Sequence, residues 1–252
     1  MDDPTEYNVR NILMIKGKRA GRSTIKRHIL TLLRQKSFEE ICSFFENNPN
    51  HLVLNALFGA LCSPVESVRW SSIECFGIIV PRIAERKTED ARIVMRHFLW
   101  SLNDESGGIG WGAPESLAEI MCHCQQMRSE YLHMLVSYMR KDGRQIFQDG
   151  NYLELPMLQR GLLWGIGRLC ECHPDEMAER EIVKDVSDYL SSPDLHVAGL
   201  AIWILGFLRE KSAAKEVAAF ADREDLLFLY RSGRLEEVAI GQLAEEALLL
   251  MD

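Results

Sequence analysis

The chain has 252 residues, 47% of them apolar and 26% charged, and carries a net charge of −8. That balance excludes global disorder, and the negative charge argues against an extended nucleic-acid grip, because phosphate affinity comes from accumulated positive charge. The longest strongly apolar run, 200–208, is about half a membrane span, so no membrane association is expected.

The opening residues, MDDPTEYNVRN, hold no basic stretch leading into an apolar run. With seven cysteines, an odd number, this reads as a cytoplasmic protein with reduced thiols. Residues 1–40 are locally basic, nine Lys/Arg against five Asp/Glu, through Lys16, Lys18, Arg19, Arg22, Lys26 and Arg27. A solvated segment and first helix turn account for such a run as well as a binding end does.

From residue 38 onward a 3.6-residue period dominates. Ser37 with Glu40 has the spacing of a capping box, and Thr88 before Glu89 and Asp90 reads as a helix start. Ala91, Val94, Met95, Phe98 and Leu102 form one apolar stripe; Tyr131, Met134, Leu135, Tyr138 and Met139 form another. The predicted helices pair. Helix 52–61 precedes Ser63-Pro64 and ESVRWSSIECFG, and helix 182–190 precedes Ser192-Pro193 and LHVAGLAIWILG. A third second-helix reads PMLQRGLLWGIG, 156–167. Each second helix has an apolar residue nine positions before a closing glycine: Val68/Gly77, Leu158/Gly167 and Val197/Gly206. Glu119 occupies the corresponding position between the first two, giving periods of 42, 48 and 39 residues. Two helices per period of that length is a solenoid repeat.

On SPVESVRW and SPDLHVAGLAIWILG the sequence resembles the HEAT-like, armadillo-type superfamily over about residues 38–221. The resemblance implies an all-α, right-handed α-solenoid of HEAT-like helix pairs and a scaffold role. The segment NDESGGIGWGAPE, 103–115, is similar to a motif of an uncharacterised bacterial HEAT-like family, which implies no activity. After the repeats, 226–240 reads as a β-hairpin about Ser232-Gly233, and GQLAEEALLL as a helix, together a cap for the last repeat. An all-helical 226–250 is the alternative. The expected organisation is one continuous domain: a basic segment and first helix at 1–37, repeats at 38–221 and the cap at 222–252.

The glycine-rich loop is the strongest functional candidate. Gly107, Gly108, Gly110 and Gly112 lie within six residues, in place of the Ser-Pro turn of the other repeats. Pro114 and Glu115 suit a helix start. No Gly-Lys-Ser/Thr follows and no strand precedes, which excludes a P-loop and a dinucleotide fingerprint. Asp104, Glu105 and Glu115 would repel phosphate and favour a cationic or multi-hydroxyl ligand or a partner's basic side chain. The structural reading is that Asn103 and Asp104 cap the turn while the glycines let helices approach.

Trp70, Trp111, Trp164 and Trp203 fall on or beside second helices, either as an aromatic wall or as core spacers. Cys122-His123-Cys124 and Cys170-Glu171-Cys172-His173 occupy matching repeat positions. Buried thiols are the commoner reading than a metal site, since CxxC loop spacing is absent. No HExxH, GxSxG or His-Glu pair is present. The reading is a non-enzymatic scaffold without cofactor, metal or catalytic residues. It binds a protein, with the acids favouring a basic one, through Asn103, Asp104, Glu105, Trp111, Glu115, Trp164 and Arg168. The alternative is an enzyme or small-ligand module in the same groove: a metal-binding repeat protein, or a DNA-glycosylase-like one using Trp100, Asp104 and Trp111.

Overall fold

The computed structural model describes residues 21–103, 110–141 and 151–252. Asp104, Glu105, Gly107 and Gly108 of the glycine-rich loop lie outside the described residues, as do Lys16, Lys18 and Arg19.

Helices α1 (Arg22–Gln35), α2 (Phe38–Glu46) and α3 (Asn50–Leu61) lead into the long α4 (Glu66–Arg86). Then follow α5 (Thr88–Leu102), α6 (Ala113–His123), α7 (Gln125–Ser137) and α8 (Pro156–Cys172). Two short helices, α9 (Pro174–Ala178) and α10 (Val183–Asp188), precede α11 (Leu195–Phe207) and the short α12 (Ala214–Ala218). The chain ends with strands β1 (Leu226–Arg231) and β2 (Arg234–Ala239) and helix α13 (Ile240–Met251).

The second helices form one continuous layer: α4 packs on α6, α6 on α8, α8 on α11 and α11 on α13. Helices α3, α5 and α7 pack outside it. The repeat register found in the sequence is a packing register. Val68, Leu158 and Val197 are buried, and the closing glycines are where the next inner helix enters. A Cβ on Gly77 would lie 2.7 Å from Cγ of Glu119, and one on Gly167 only 2.3 Å from the Trp203 ring. Both stripes on the outer helices face inward: Ala91, Val94, Met95 and Phe98 on α5, and Tyr131, Leu135, Tyr138 and Met139 on and just after α7, are buried.

Two caps differ from expectation. Ser37 holds the N-cap of α2, yet its side chain makes no capping bond. Thr88 is the first residue of α5, and its hydroxyl bonds back to the Ala84 carbonyl at 3.3 Å. Asp194 does cap α11, accepting from the amides of His196 (3.0 Å) and Val197 (3.3 Å).

The hairpin is antiparallel, with Leu226 opposite Ala239 and Arg231 opposite Arg234. Ser232 and Gly233 both have positive φ, 51° and 74°, as a two-residue hairpin turn of this hand requires. The all-helical alternative for this segment is therefore set aside. While α13 covers α11, the hairpin folds inward across the second helices. Tyr230 stacks on Trp70 of α4, Trp164 of α8 donates its indole N–H to the Tyr230 carbonyl (2.7 Å), and Leu227 rests on Gly199 of α11. Lys36, which ends α1, reaches the hairpin tip through the Gly233 carbonyl and the Tyr230 hydroxyl.

Candidate functional site

The described end of the glycine-rich loop builds the wall of a cavity. Gly110 fits against Leu102 and the Ser101 carbonyl, and Gly112 takes a left-handed turn (φ 68°) directly before α6. That turn leaves Trp111 partly exposed and sets Glu115 in the first helical turn, where the positive end of the helix favours a carboxylate. Trp111, Gly112 and Glu115 line a cavity of about 380 Å³. Its other walls are Glu66, Arg69 and Trp70 from α4, Met157, Arg160, Gly161 and Trp164 from α8, His196 and Leu200 from α11, and Phe228 and Leu235 from the hairpin. Trp111, Met157 and Phe228 are exposed and form its apolar lip.

The Glu115 carboxylate lies flat over Gly161, where a Cβ would stand 2.6 Å from Oε2 and 2.8 Å from Oε1. Only glycine leaves that seat free. Oε2 is sealed from solvent without a hydrogen-bond partner, and so are Arg69 Nε and Trp70 Nε1. Each such group costs about 1–3 kcal/mol. Burial pushes the Glu115 carboxyl above its ordinary value, against weaker opposing pulls from its own backbone N–H and from Arg69. Arg69 pairs instead with Glu66 at 3.2 Å, and Arg160 with Asp194 at 2.8 Å.

A second, smaller cavity of about 120 Å³ lies between Glu74, Glu119, Trp164, Arg168, Glu171 and the hairpin tip. Glu119 is buried in the position that other repeats give to glycine. It bonds to Arg168 Nε and His123 Nε2, both at 3.0 Å, and Arg168 also holds Glu171 at 2.7 Å. Burial opposes ionisation of Glu119, but the bonds from His123 and Arg168 outweigh it and hold the carboxyl below its usual range. The same bond raises His123. Burial, then Glu74 beside it, raises the Tyr230 hydroxyl.

Of the seven residues expected to bind a partner, three, Trp111, Glu115 and Trp164, share the larger cavity, and Trp70 lines it too. Trp164 is nearly buried, forming its back wall under the hairpin, and Trp203 is also buried. The wall of inner-helix tryptophans is therefore largely covered by the chain's own hairpin. Arg168 faces the smaller cavity and is occupied by Glu119 and Glu171. Asn103 ends α5 and accepts from the Tyr138 hydroxyl at 3.2 Å; it lines neither cavity. Trp100 is fully on the surface at 82% exposure. Arg69, Gly161 and Phe228 escaped the sequence reading. Glu119 had a signal: it departs from the repeat's glycine.

Cys122, Cys124 and Cys170 are buried. The Cys122 thiol is raised by its hydrogen bond to Cys172 and by burial, and burial takes Cys170 up to about 12. His173 Nε2 is spent on the Cys122 carbonyl at 2.9 Å. Among the described residues no group of three or more His, Cys, Asp or Glu is placed to hold a metal ion, and no helix is long and apolar enough to cross a membrane.

No family model matches the sequence, and no curated protein matches it. Among solved structures the chain is similar to an engineered protein, with TM-score 0.54 and 14% identity over 96% of this chain and 95% of that one. A second engineered protein gives TM-score 0.53 at 14% identity, over 96% and 97%. A designed armadillo repeat protein, solved in complex with the peptide (KR)4, gives 0.52 at 14% identity over 99% and 100%. At such identities the likeness establishes the fold alone: an α-solenoid of the armadillo-repeat type.

Proposed function

We propose that this protein is a non-enzymatic scaffold that binds a protein partner at the surface around the glycine-rich loop. The observation that carries the reading is the apolar lip of Trp111, Met157 and Phe228 standing open at a cavity mouth. A partly exposed tryptophan over a pocket is the kind of anchor on which interface energy concentrates. Asp104 and Glu105, which belong to the same loop segment as Trp111 in the sequence, favour a partner segment of basic character. The (KR)4 peptide of the designed armadillo relative supports the same class of partner. Asn103 belongs to this surface as the end of α5. Trp164 and Arg168 serve it from behind, the first as the cavity's rear wall and the second by bracing α8 on α6.

The test is partner capture by in-cell cross-linking, comparing wild type with Trp111→Ala and with Asp104→Lys/Glu105→Lys. Loss of the same captured protein in both variants, with unchanged helicity, supports the reading. Undiminished capture by both would overturn it.

A further inference from the structure

Cys122 and Cys172 stand at the same end of two neighbouring inner helices. Cys122 is next to last in α6, Cys172 is the last residue of α8, and the two helices pack on one another. Two backbone contacts bracket the pair. Cys122 Sγ lies 3.6 Å from the Arg168 carbonyl, one helical turn before Cys172. The Cys122 carbonyl meets Nε2 of His173, the residue directly after Cys172, at 2.9 Å. Between those contacts the two thiols hydrogen-bond to each other.

The two sulfurs are not equivalent. Cys122 is buried, while Cys172 is partly open to solvent where α8 ends. The bond from Cys122 holds the Cys172 thiol below an ordinary cysteine; burial opposes it, the Arg168 charge assists, and Glu119 and Glu171 oppose more weakly. The same bond, with burial, raises Cys122. Cys172 is thus the sulfur that ionises within reach of a small solute, and Cys122 is the partner that keeps its proton. Cys170, two residues earlier, is buried and raised by that burial, so reactivity in this stretch belongs to Cys172.

We propose that Cys172 and Cys122 form a peroxide-reactive dithiol, Cys172 attacking and Cys122 resolving, whose product is a disulfide across the ends of α6 and α8. The Cys172 thiolate displaces hydroxide from hydrogen peroxide: an S–O bond forms, the O–O bond breaks, and a sulfenic acid results. The Cys122 sulfur then attacks that of Cys172, and its proton leaves with the displaced hydroxyl as water, so an S–S bond replaces the S–O bond. The first hydroxide takes up the proton that Cys172 had released to solvent. The two thiols together lose two electrons, and one peroxide is reduced to two waters. Thiols already in contact need only close to about 2 Å, and both sit where helices end and fray. The pair lies at the opposite end of α6 and α8 from Glu115 and Gly161, so it is independent of the partner-scaffold reading.

The test treats the full reduced chain with hydrogen peroxide, blocks remaining thiols by alkylation under denaturing conditions and maps them by mass spectrometry. A parallel sample holds dimedone to trap sulfenic acid. A linked Cys122–Cys172 peptide is expected as the main oxidation product. The Cys172 thiol should disappear at least about threefold faster than that of the exposed Cys62. Cys122→Ser keeps a hydrogen-bond donor but removes the resolving sulfur, so dimedone should mark Cys172 at least about fivefold more than in wild type. Cys172→Ser should lose the crosslink and leave Cys122 reduced. Absence of the linked peptide from wild type would overturn the proposal, whether or not the variants fold. So would Cys62 reacting as fast as Cys172, or an unchanged dimedone mark in folded Cys122→Ser.

Discussion

Tyr230 lies flat on Trp70, with ring centroids 4.3 Å apart and planes within 3° of parallel. One ring comes from the last strand pair and the other from the fourth helix, so this contact folds the end of the chain back across the solenoid. Trp164 sits beside both, 4.7 Å from Trp70 by ring centroid, and ties its N–H to the Tyr230 backbone. The hairpin is thereby a structural strut of the inner face, and it forms one wall of each cavity beside it.

Tyr230→Ala should cost about 3–5 kcal/mol, the range for removing a buried aromatic ring. Tyr230→Phe keeps the stack and removes only the hydroxyl that Lys36 and Glu74 face, so a loss of about 1 kcal/mol is expected. Urea denaturation of both variants checks this. Similar losses in the two would mean that the stack contributes little.

Two alanine substitutions on α8 should separate sharply. Gly167→Ala drives a Cβ into the Trp203 ring, a large, buried group, and should cost about 1–3 kcal/mol. Gly161→Ala meets only the end of the Glu115 side chain, which can swing away, and alanine is about 1 kcal/mol better than glycine in a helix. Its melting temperature should stay close to wild type. Equal destabilisation at both sites would contradict the packing described.

The Glu119, His123 and Arg168 cluster should give stability a pH signature. Glu119 is depressed in the fold, so its contribution is present above the ordinary glutamate value and lost as pH falls through its folded value. His123 is raised, so its contribution is full below the ordinary histidine value and lost as pH rises through its folded value. His123 is about half exposed, and solvent screening keeps its share small. An NMR titration should place His123 above an ordinary histidine, and Glu119→Gln should bring it down. An unchanged His123 titration in that variant would rule out the coupling.

Glu115 should behave in the opposite sense. Burial raises its carboxyl, so the ionised form costs stability at neutral pH, and that cost fades as pH falls through its folded value. Glu115→Gln should therefore raise the thermal midpoint at pH 7 to 8 and lose the advantage under acid conditions. A variant less stable than wild type at pH 8 would show that the carboxylate is satisfied in solution.

The repeat was legible because local rules and global packing agree along it. Val68/Gly77, Leu158/Gly167 and Val197/Gly206 mark one surface of each inner helix, and that surface meets the next repeat at a spacing the sequence itself encodes. The hairpin was legible for the same reason: Ser232-Gly233 suits the positive φ that the turn needs. The glycine-rich loop was visible as a departure from the repeat, and Trp111 and Glu115 do line a cavity. Sequence by itself therefore determined the helix pairs, their register and the position of the exception. Only the tertiary structure decided which way the hairpin turns, that Trp164 lies beneath it, that Arg168 is spent on Glu119, and that Gly161 makes room for Glu115. Those are contacts between residues far apart in the chain, and periodicity carries no information about where a segment without a repeat comes to rest.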